Sequence, residues 1–254
     1  MKLFFRKCSV ACFLVFSVPA FAVDISKNIT VNFVTEANYY PFEYLNDLNQ
    51  IQGFDIDIAK AVCEKANLTC QFSNKSFDSL LLTLQFGQFD AVIAALDITE
   101  ERKLKVDFSN SYYQSAPVFV SAIKESEAFS LDGKFIGVLS KSSNHLYLIK
   151  HAKKSSFIIS YPSFLKAFSD LSSGTIELVF ADQAVVAELL LENDNALKFS
   201  VIQTEKIFLD SFSSGYGIAV KKGNVALLER INYGLEKIDE DGTYQAIFKG
   251  YFGH

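Results

Sequence analysis

The sequence predicts an α/β fold, a mainly parallel sheet flanked by helices, on three observations. Apolar runs without polar alternation, residues 91–96 and 176–181, have the pattern of strands buried on both faces. Each run ends at an aspartate, Asp97 or Asp182, and is followed at once by a helix signal, so the order is strand, loop, helix. The pattern then starts afresh at residues 134–139, after an extended β-prone segment at 116–123, which predicts a second unit.

The first strand is residues 29–35, an alternating segment handing over to a polar loop with Glu36, Asn38, Tyr39, Tyr40 and Pro41. Residues 53–67 follow as an amphipathic helix with Phe54, Ile58, Ala59, Val62, Cys63 and Ala66 on one face. A strand at 69–72 leads to Ser76, the cap of a helix carrying Phe77, Leu80, Leu81 and Leu84 and stopped by Gly87. After the 91–96 run and Asp97, Thr99 is placed as an N-cap, with Glu100 and Glu101 in the first turn of a helix through Lys103 and Val106. In the second unit, strand 134–139 precedes the loop Ser140-Lys141-Ser142-Ser143-Asn144 and a helix. The small residues of 213–217 suit a return hinge.

Residues 1–22 have the layout of an export leader. Lys2, Arg6 and Lys7 are basic, residues 10–18 are apolar, and Ala20-Phe21-Ala22 is a small-x-small cleavage site, so the mature chain is expected to begin near Val23. The apolar run falls short of the roughly 20 residues that span a bilayer. The whole chain has 24 Lys and Arg against 29 Asp and Glu, a net charge of −5. Without the three leader cations the balance is 21 − 29 = −8 over 232 residues, which argues against nucleic acid or anionic membranes as partners. That length exceeds a usual single domain of about 100–150 residues and accommodates two lobes.

Cys63 and Cys70 are the only cysteines beyond the leader, and an even pair in an oxidising compartment reads as a disulfide. Six residues separate them, which is not a CxxC redox spacing, and no nearby histidine completes a metal set. His145, His151 and His254 are too dispersed for a metal site or a Ser-His-Asp triad, so no metal and no cofactor are expected.

In an open α/β sheet, ligands collect beyond the carboxyl ends of the strands. The strand-end loops there carry Glu36 and Tyr39, Phe77 with its cap, and Asp97 with Arg102. Asp97 and Arg102 together suit an ammonium and a carboxylate. Two aromatic faces can sandwich a planar cation while a carboxylate accepts its N–H donors, which fits a guanidinium better than a compact ammonium. The residue types also admit plainer roles: a structural Asp97–Arg102 ion pair, Phe77 in the core, and Asp182 as a simple helix cap.

The runs VTEANYYPFEY, GFDIDIAKAVCEKANLTC, FDSLLLTL and AVIAALDITEER, continued by GKFIGVLSKSSNH, GTIELVFADQAVVAE, GYGIAVKKGN and EDGTYQAIFKGYF, resemble the polar and basic amino-acid-binding proteins of ABC importers. These are solute-binding proteins of family 3, and the arginine binders among them are most alike. The resemblance implies a two-lobed periplasmic binding protein fold, each lobe a mainly parallel sheet flanked by helices, joined by two crossover strands. Lobe one would comprise residues 23–116 and 213–254, and lobe two residues 117–212.

Carried over position by position, the resemblance implies that Arg102 binds a ligand α-carboxylate, with the backbone N–H of Asp97 and, at a helix start, Ser142 and Ser143. Asp97, Asp182 and the carbonyl of Ala95 would accept from the α-ammonium. Tyr39 and Phe77 would stack on the side chain, and Glu36 would meet its distal charge. Lys141-Ser142-Ser143 departs from the family's common Gly-Thr-Thr, keeping the hydroxyl and replacing a glycine by a cation expected to point to solvent. Ala94-Ala95-Leu96-Asp97 is more like the arginine binders than the serine-rich version in lysine, ornithine and histidine binders. The implied role is a non-enzymatic periplasmic receptor that captures a basic L-amino acid, arginine first, for an ABC permease. Two alternatives use the same scaffold: a cyclohexadienyl dehydratase-like enzyme with Glu36 as its acid, and a sensor that presents its ligand to a membrane receptor.

Overall fold

The computed structural model describes residues 23–114, 116–122, 130–152, 155–192, 199–204, 212 and 214–253. The expected leader, the third histidine and Ser213 of the return hinge lie outside these residues.

In chain order the strands are β1 (Ile29–Thr35), β2 (Asn38–Tyr39), β3 (Glu43–Leu45), β4 (Ile51–Gln52), β5 (Leu68–Asn74), β6 (Ala91–Val92) and β7 (Val106–Phe108). They continue as β8 (Pro117–Ser121), β9 (Phe135–Leu139), β10 (Phe157–Tyr161), β11 (Leu178–Asp182), β12 (Ser200–Gln203) and β13 (Ala219–Lys221). The helices are α1 (Phe54–Lys65), α2 (Phe77–Gln85), α3 (Glu100–Lys103), α4 (Ser143–His151), α5 (Phe164–Ser172) and α6 (Gln183–Glu192). Two more, α7 (Val225–Glu240) and α8 (Thr243–Phe252), end the chain.

Two five-stranded sheets organise the molecule, ordered β5-β1-β6-β13-β7 and β10-β9-β11-β8-β12. In the first, β1 runs parallel to β5 and β6, and the late strand β13 enters antiparallel between β6 and β7. In the second, β9 is parallel to β10 and β11, and the incoming segment β8 is antiparallel to β11 and β12. The parallel pairs are the ones linked through helices, as such pairs require. A small antiparallel sheet, β2-β3-β4, branches off after β1.

Two local expectations are corrected. Residues 91–96 are buried throughout, but the strand stops at Val92, and Ala95 has a positive φ of 43°. The backbone there finds other partners: Ala95 N–H goes to the Asp55 carboxylate at 2.7 Å, and Leu96 C=O accepts from Gly217 at 3.1 Å. The helix expected through Val106 stops at Lys103, because Val106 is fully buried as the start of β7, in register with Lys221.

Helix α1 turns Phe54, Ile58, Ala59 and Val62 to the core, and α7 packs against it so closely that a Cβ on Gly234 would meet Val62 O at 2.5 Å. The Cys63–Cys70 disulfide joins α1 to β5. Arg230 of α7 donates to the carbonyls of Ala66 and Asn67 at the end of α1, where a cation suits the exposed carbonyls. Among the described residues no helix is long and apolar enough to cross a membrane.

Gly53 fixes the junction between the small sheet and α1. Its φ is 131°, and an added Cβ would sit 2.3 Å from Phe42 O, the carbonyl that accepts from Asp55 N–H at 2.9 Å. Gly53→Ala therefore combines forbidden backbone with a backbone clash, and is expected to lower stability by about 2–4 kcal/mol in urea unfolding. A loss below about 0.5 kcal/mol, the ordinary surface range, would contradict the role given to this close approach.

Candidate functional site

A cleft opens between the two sheets' loops. Segments around the first five-stranded sheet contribute Glu36, Tyr39, Phe77, Ala95, Asp97 and Arg102, and segments around the second contribute Ser142, Ser143 and Asp182. All nine residues singled out in the sequence thus line one space. Glu43, Asn144 and Phe164 line it too, and the sequence reading did not select them.

Thr99 caps α3 as expected, its hydroxyl accepting from Arg102 N–H at 3.2 Å. This turn places the buried Arg102 guanidinium beside Asp97, but it donates to the Asp97 carbonyl at 2.9 Å rather than to the carboxylate. No ion pair joins Arg102 to a carboxylate among the described residues, so the structural salt bridge is not what forms. A guanidinium has five N–H donors, and this arrangement leaves others for the cleft. The guanidinium also lies 5.7 Å from the centroid of the Phe77 ring.

Ser142 caps α4, accepting from His145 N–H at 3.1 Å while its own hydroxyl donates to Leu139 O at 2.7 Å. The next residue, Ser143, donates its hydroxyl to the Asp97 carboxylate, which joins α4 to the other lobe. A helix N-terminus facing a cleft supplies unpaired N–H groups to an anion.

Asp182 ends β11, but its side chain is no helix cap. One oxygen accepts the Tyr39 hydroxyl at 2.6 Å and the Tyr216 hydroxyl at 2.6 Å, and the other accepts from the Asn144 amide at 3.3 Å. Burial, then the Asp182 charge, push both tyrosines well above the ordinary phenol range, so both hydroxyls remain donors. Lys141 is exposed to solvent, as expected. It has a positive φ of 57° and reaches across to Asp78 of α2 at 2.8 Å.

The cleft carries more negative than positive groups. Burial and the neighbouring Asp182 raise the Asp97 carboxyl to about 7, against the opposing pull of Arg102 and Ser143. Glu36 is also raised, chiefly by burial, although the Phe77 backbone N–H and the Asn38 side chain favour its charged form. Arg102 is lowered, chiefly by burial. An incoming cation would relieve this imbalance, and a carboxylate would pair with the single arginine.

Comparison with known proteins decides the family. Residues 31–254 match the bacterial extracellular solute-binding proteins, family 3. The chain belongs to that family. It is 40% identical to ABC transporter arginine-binding protein 1 of Escherichia coli (strain K12), covering 92% of this chain and 96% of that one. The solved structure of an ancestral arginine-binding protein bound to arginine superposes with a TM-score of 0.80 at 36% identity, covering 88% of this chain and 98% of that one. An ancestral amino-acid-binding protein described as a precursor of cyclohexadienyl dehydratase gives a TM-score of 0.76 at 26% identity, covering 88% and 95%. The E. coli relative is thus a binding protein.

The Lys141–Asp78 pair is well exposed on both sides, 64% and 45%, and such pairs contribute about 0–1 kcal/mol. Lys141→Ala is therefore expected to change ligand affinity by less than about fivefold, measured by titration calorimetry. A loss of a hundredfold would make this pair an essential latch.

Proposed function

We propose that this family-3 solute-binding protein captures a basic L-amino acid, with L-arginine preferred, in the periplasm and delivers it to an ABC permease. The observation that carries the reading is the charge pattern of the cleft: four acidic side chains, Glu36, Glu43, Asp97 and Asp182, line it with one guanidinium, and Tyr39 and Phe77 are on the walls. That arrangement is complementary to an amino acid whose own side chain is a cation.

In this account Arg102 grips the α-carboxylate, helped by the Asp97 backbone N–H and the start of α4 at Ser142 and Ser143. Asp97, Asp182 and the Ala95 carbonyl accept from the ammonium. Tyr39 and Phe77 flank the side chain, and Glu36 reads its distal charge. Residues 23–116 with 213–254 act as one lobe and residues 117–212 as the other, with both lobes holding the ligand. Residues 1–22 serve as a cleaved export signal. The similarity to arginine-binding relatives supports this ligand class.

We also infer binding without turnover. A dehydratase needs a carboxylic acid kept neutral to protonate a leaving hydroxyl, and the raised pKa of Glu36 together with the likeness to a dehydratase precursor is the observation that favours the rival. Consumption of prephenate by the purified protein would decide for that rival.

Titration calorimetry on protein stripped by unfolding and refolding tests the proposal. Arginine is expected to bind below about 1 μM, with lysine, ornithine, histidine and glutamine weaker. Glu36→Gln should weaken arginine by about tenfold or more while leaving glutamine nearly unchanged. Equal losses for the two ligands would remove Glu36 from side-chain recognition. Asp97 must be ionised to accept an ammonium, so arginine affinity is expected to fall as pH drops below about 7, approaching tenfold per pH unit. Buffers of different ionisation enthalpy should then report proton release on binding near neutral pH. A flat profile from pH 8 down to about pH 5 would contradict this role.

A further inference from the structure

We propose that Glu43, at the wall of the cleft, and Asp55 share one proton, and that this protonated pair is a positioning device holding the Ala95 backbone in its ligand-facing shape. Both side chains are buried, Glu43 with 1% exposure and Asp55 with none. Glu43 sits on β3 and Asp55 in the first turn of α1, and the close approach at Gly53 brings the two segments together. Asp55 Oδ2 accepts Ala95 N–H at 2.7 Å and the Tyr112 hydroxyl at 2.8 Å. Glu43 Oε2 and Asp55 Oδ1 are buried with no donor from any other group among the described residues.

Two adjacent buried carboxylates with orphaned oxygens would repel each other and lack compensation for lost water. One proton converts one of them into a donor and gives the pair its hydrogen bond. The ionisable groups acting on the pair are Glu36 and Asp182 on Glu43, and the phenols of Tyr39, Tyr112 and Tyr113, with Asp97 beyond Tyr112. All are acidic or neutral, and the cation in the same cleft, Arg102, acts on Asp97. Burial, then the Asp55 charge, push Glu43 well above the carboxylate range. Burial raises Asp55 to about 7, opposed by the Ala95 N–H, the Tyr112 hydroxyl and the hydrogen bond from Glu43. Asp55 already takes the Ala95 N–H and the Tyr112 hydroxyl, which favours its charged form, so the shared proton is assigned to Glu43 with Asp55 as its acceptor.

The consequence reaches the cleft through Ala95. A non-glycine residue at a φ of 43° is held there by its surroundings, and the Asp55 carboxylate is the group that takes its N–H. Ala95 and Asp97 both line the cleft, so the pair sets the loop that faces the ligand. The binding part of this inference rests on the amino-acid-receptor reading above, whereas the shared proton does not.

The test has two arms. In the ligand-free protein, urea unfolding is followed from about pH 6 to about pH 10 for wild type and Glu43→Gln. A carboxyl whose folded pKa is raised holds a proton that the unfolded chain releases, so stability is lost as pH rises towards the folded value. Wild type should show an extra increase in the unfolding constant approaching tenfold per pH unit, absent in Glu43→Gln, which keeps a donor but no titrating proton. Identical slopes would overturn the shared proton. In the second arm, arginine affinity is expected to fall by about tenfold or more in Glu43→Leu and to return to within about threefold of wild type in Glu43→Gln. Wild-type affinity in the leucine variant, or no rescue by glutamine, would overturn the positioning role. Should wild type bind no arginine, the receptor reading fails and the slope comparison still decides the proton. If Glu43→Leu does not fold, the glutamine variant carries both arms: loss of affinity in it would count against the donor role.

Discussion

The interaction on which the arrangement depends is the buried carboxylate of Asp182. It ends a strand of one sheet and takes hydroxyl donors from Tyr39, in the loop after β1, and from Tyr216, on the return of the chain towards β13. One oxygen thereby joins three separated parts of the sequence. The Ser143 to Asp97 hydrogen bond makes a second link of the same kind in the opposite sense, from a helix start of the second unit to a carboxylate of the first. Buried polar links of this sort cost desolvation, and they persist where geometry satisfies every partner.

Both links use groups that an α-amino acid would also engage. An amino acid in the cleft would compete for these lobe-to-lobe hydrogen bonds and bring charges of its own to pair with the acidic groups and Arg102. Arg102 fits the same logic, since its one described side-chain hydrogen bond goes to a backbone carbonyl and leaves the guanidinium charge unpaired by a carboxylate. The Glu43 and Asp55 pair reaches the cleft wall through Glu43, and through Asp55 it takes the Ala95 N–H.

Much of this was legible in the sequence because the signals are local. The apolar runs, the Thr99 cap and Gly87 as a helix stop each depend on a few neighbouring residues, as does the even pair of cysteines. The family resemblance carried the site residues as a set. What was not legible depends on contacts distant in sequence. The run after Val92 looks like strand to its end, yet it leaves the sheet because a carboxylate 40 residues earlier takes the Ala95 N–H. Glu43 stands between Phe42 and Tyr44 with no local signal of burial, and the approach of α1 at Gly53 comes from residues further along the chain. Tyr216 read as part of a hinge, and its hydroxyl reaches an aspartate 34 residues away. Asn144 read as loop and became the inner wall of the cleft through the first turn of α4.

The central claim is that Asp182 joins the two lobes around an amino acid. Small-angle X-ray scattering of wild type and Asp182→Ala, each without arginine and at an arginine concentration giving equal occupancy, tests it most directly. The account predicts that wild type becomes more compact on binding and that the variant keeps the dimensions of its free form. Equal compaction in both proteins, or none in wild type with arginine bound, would contradict it.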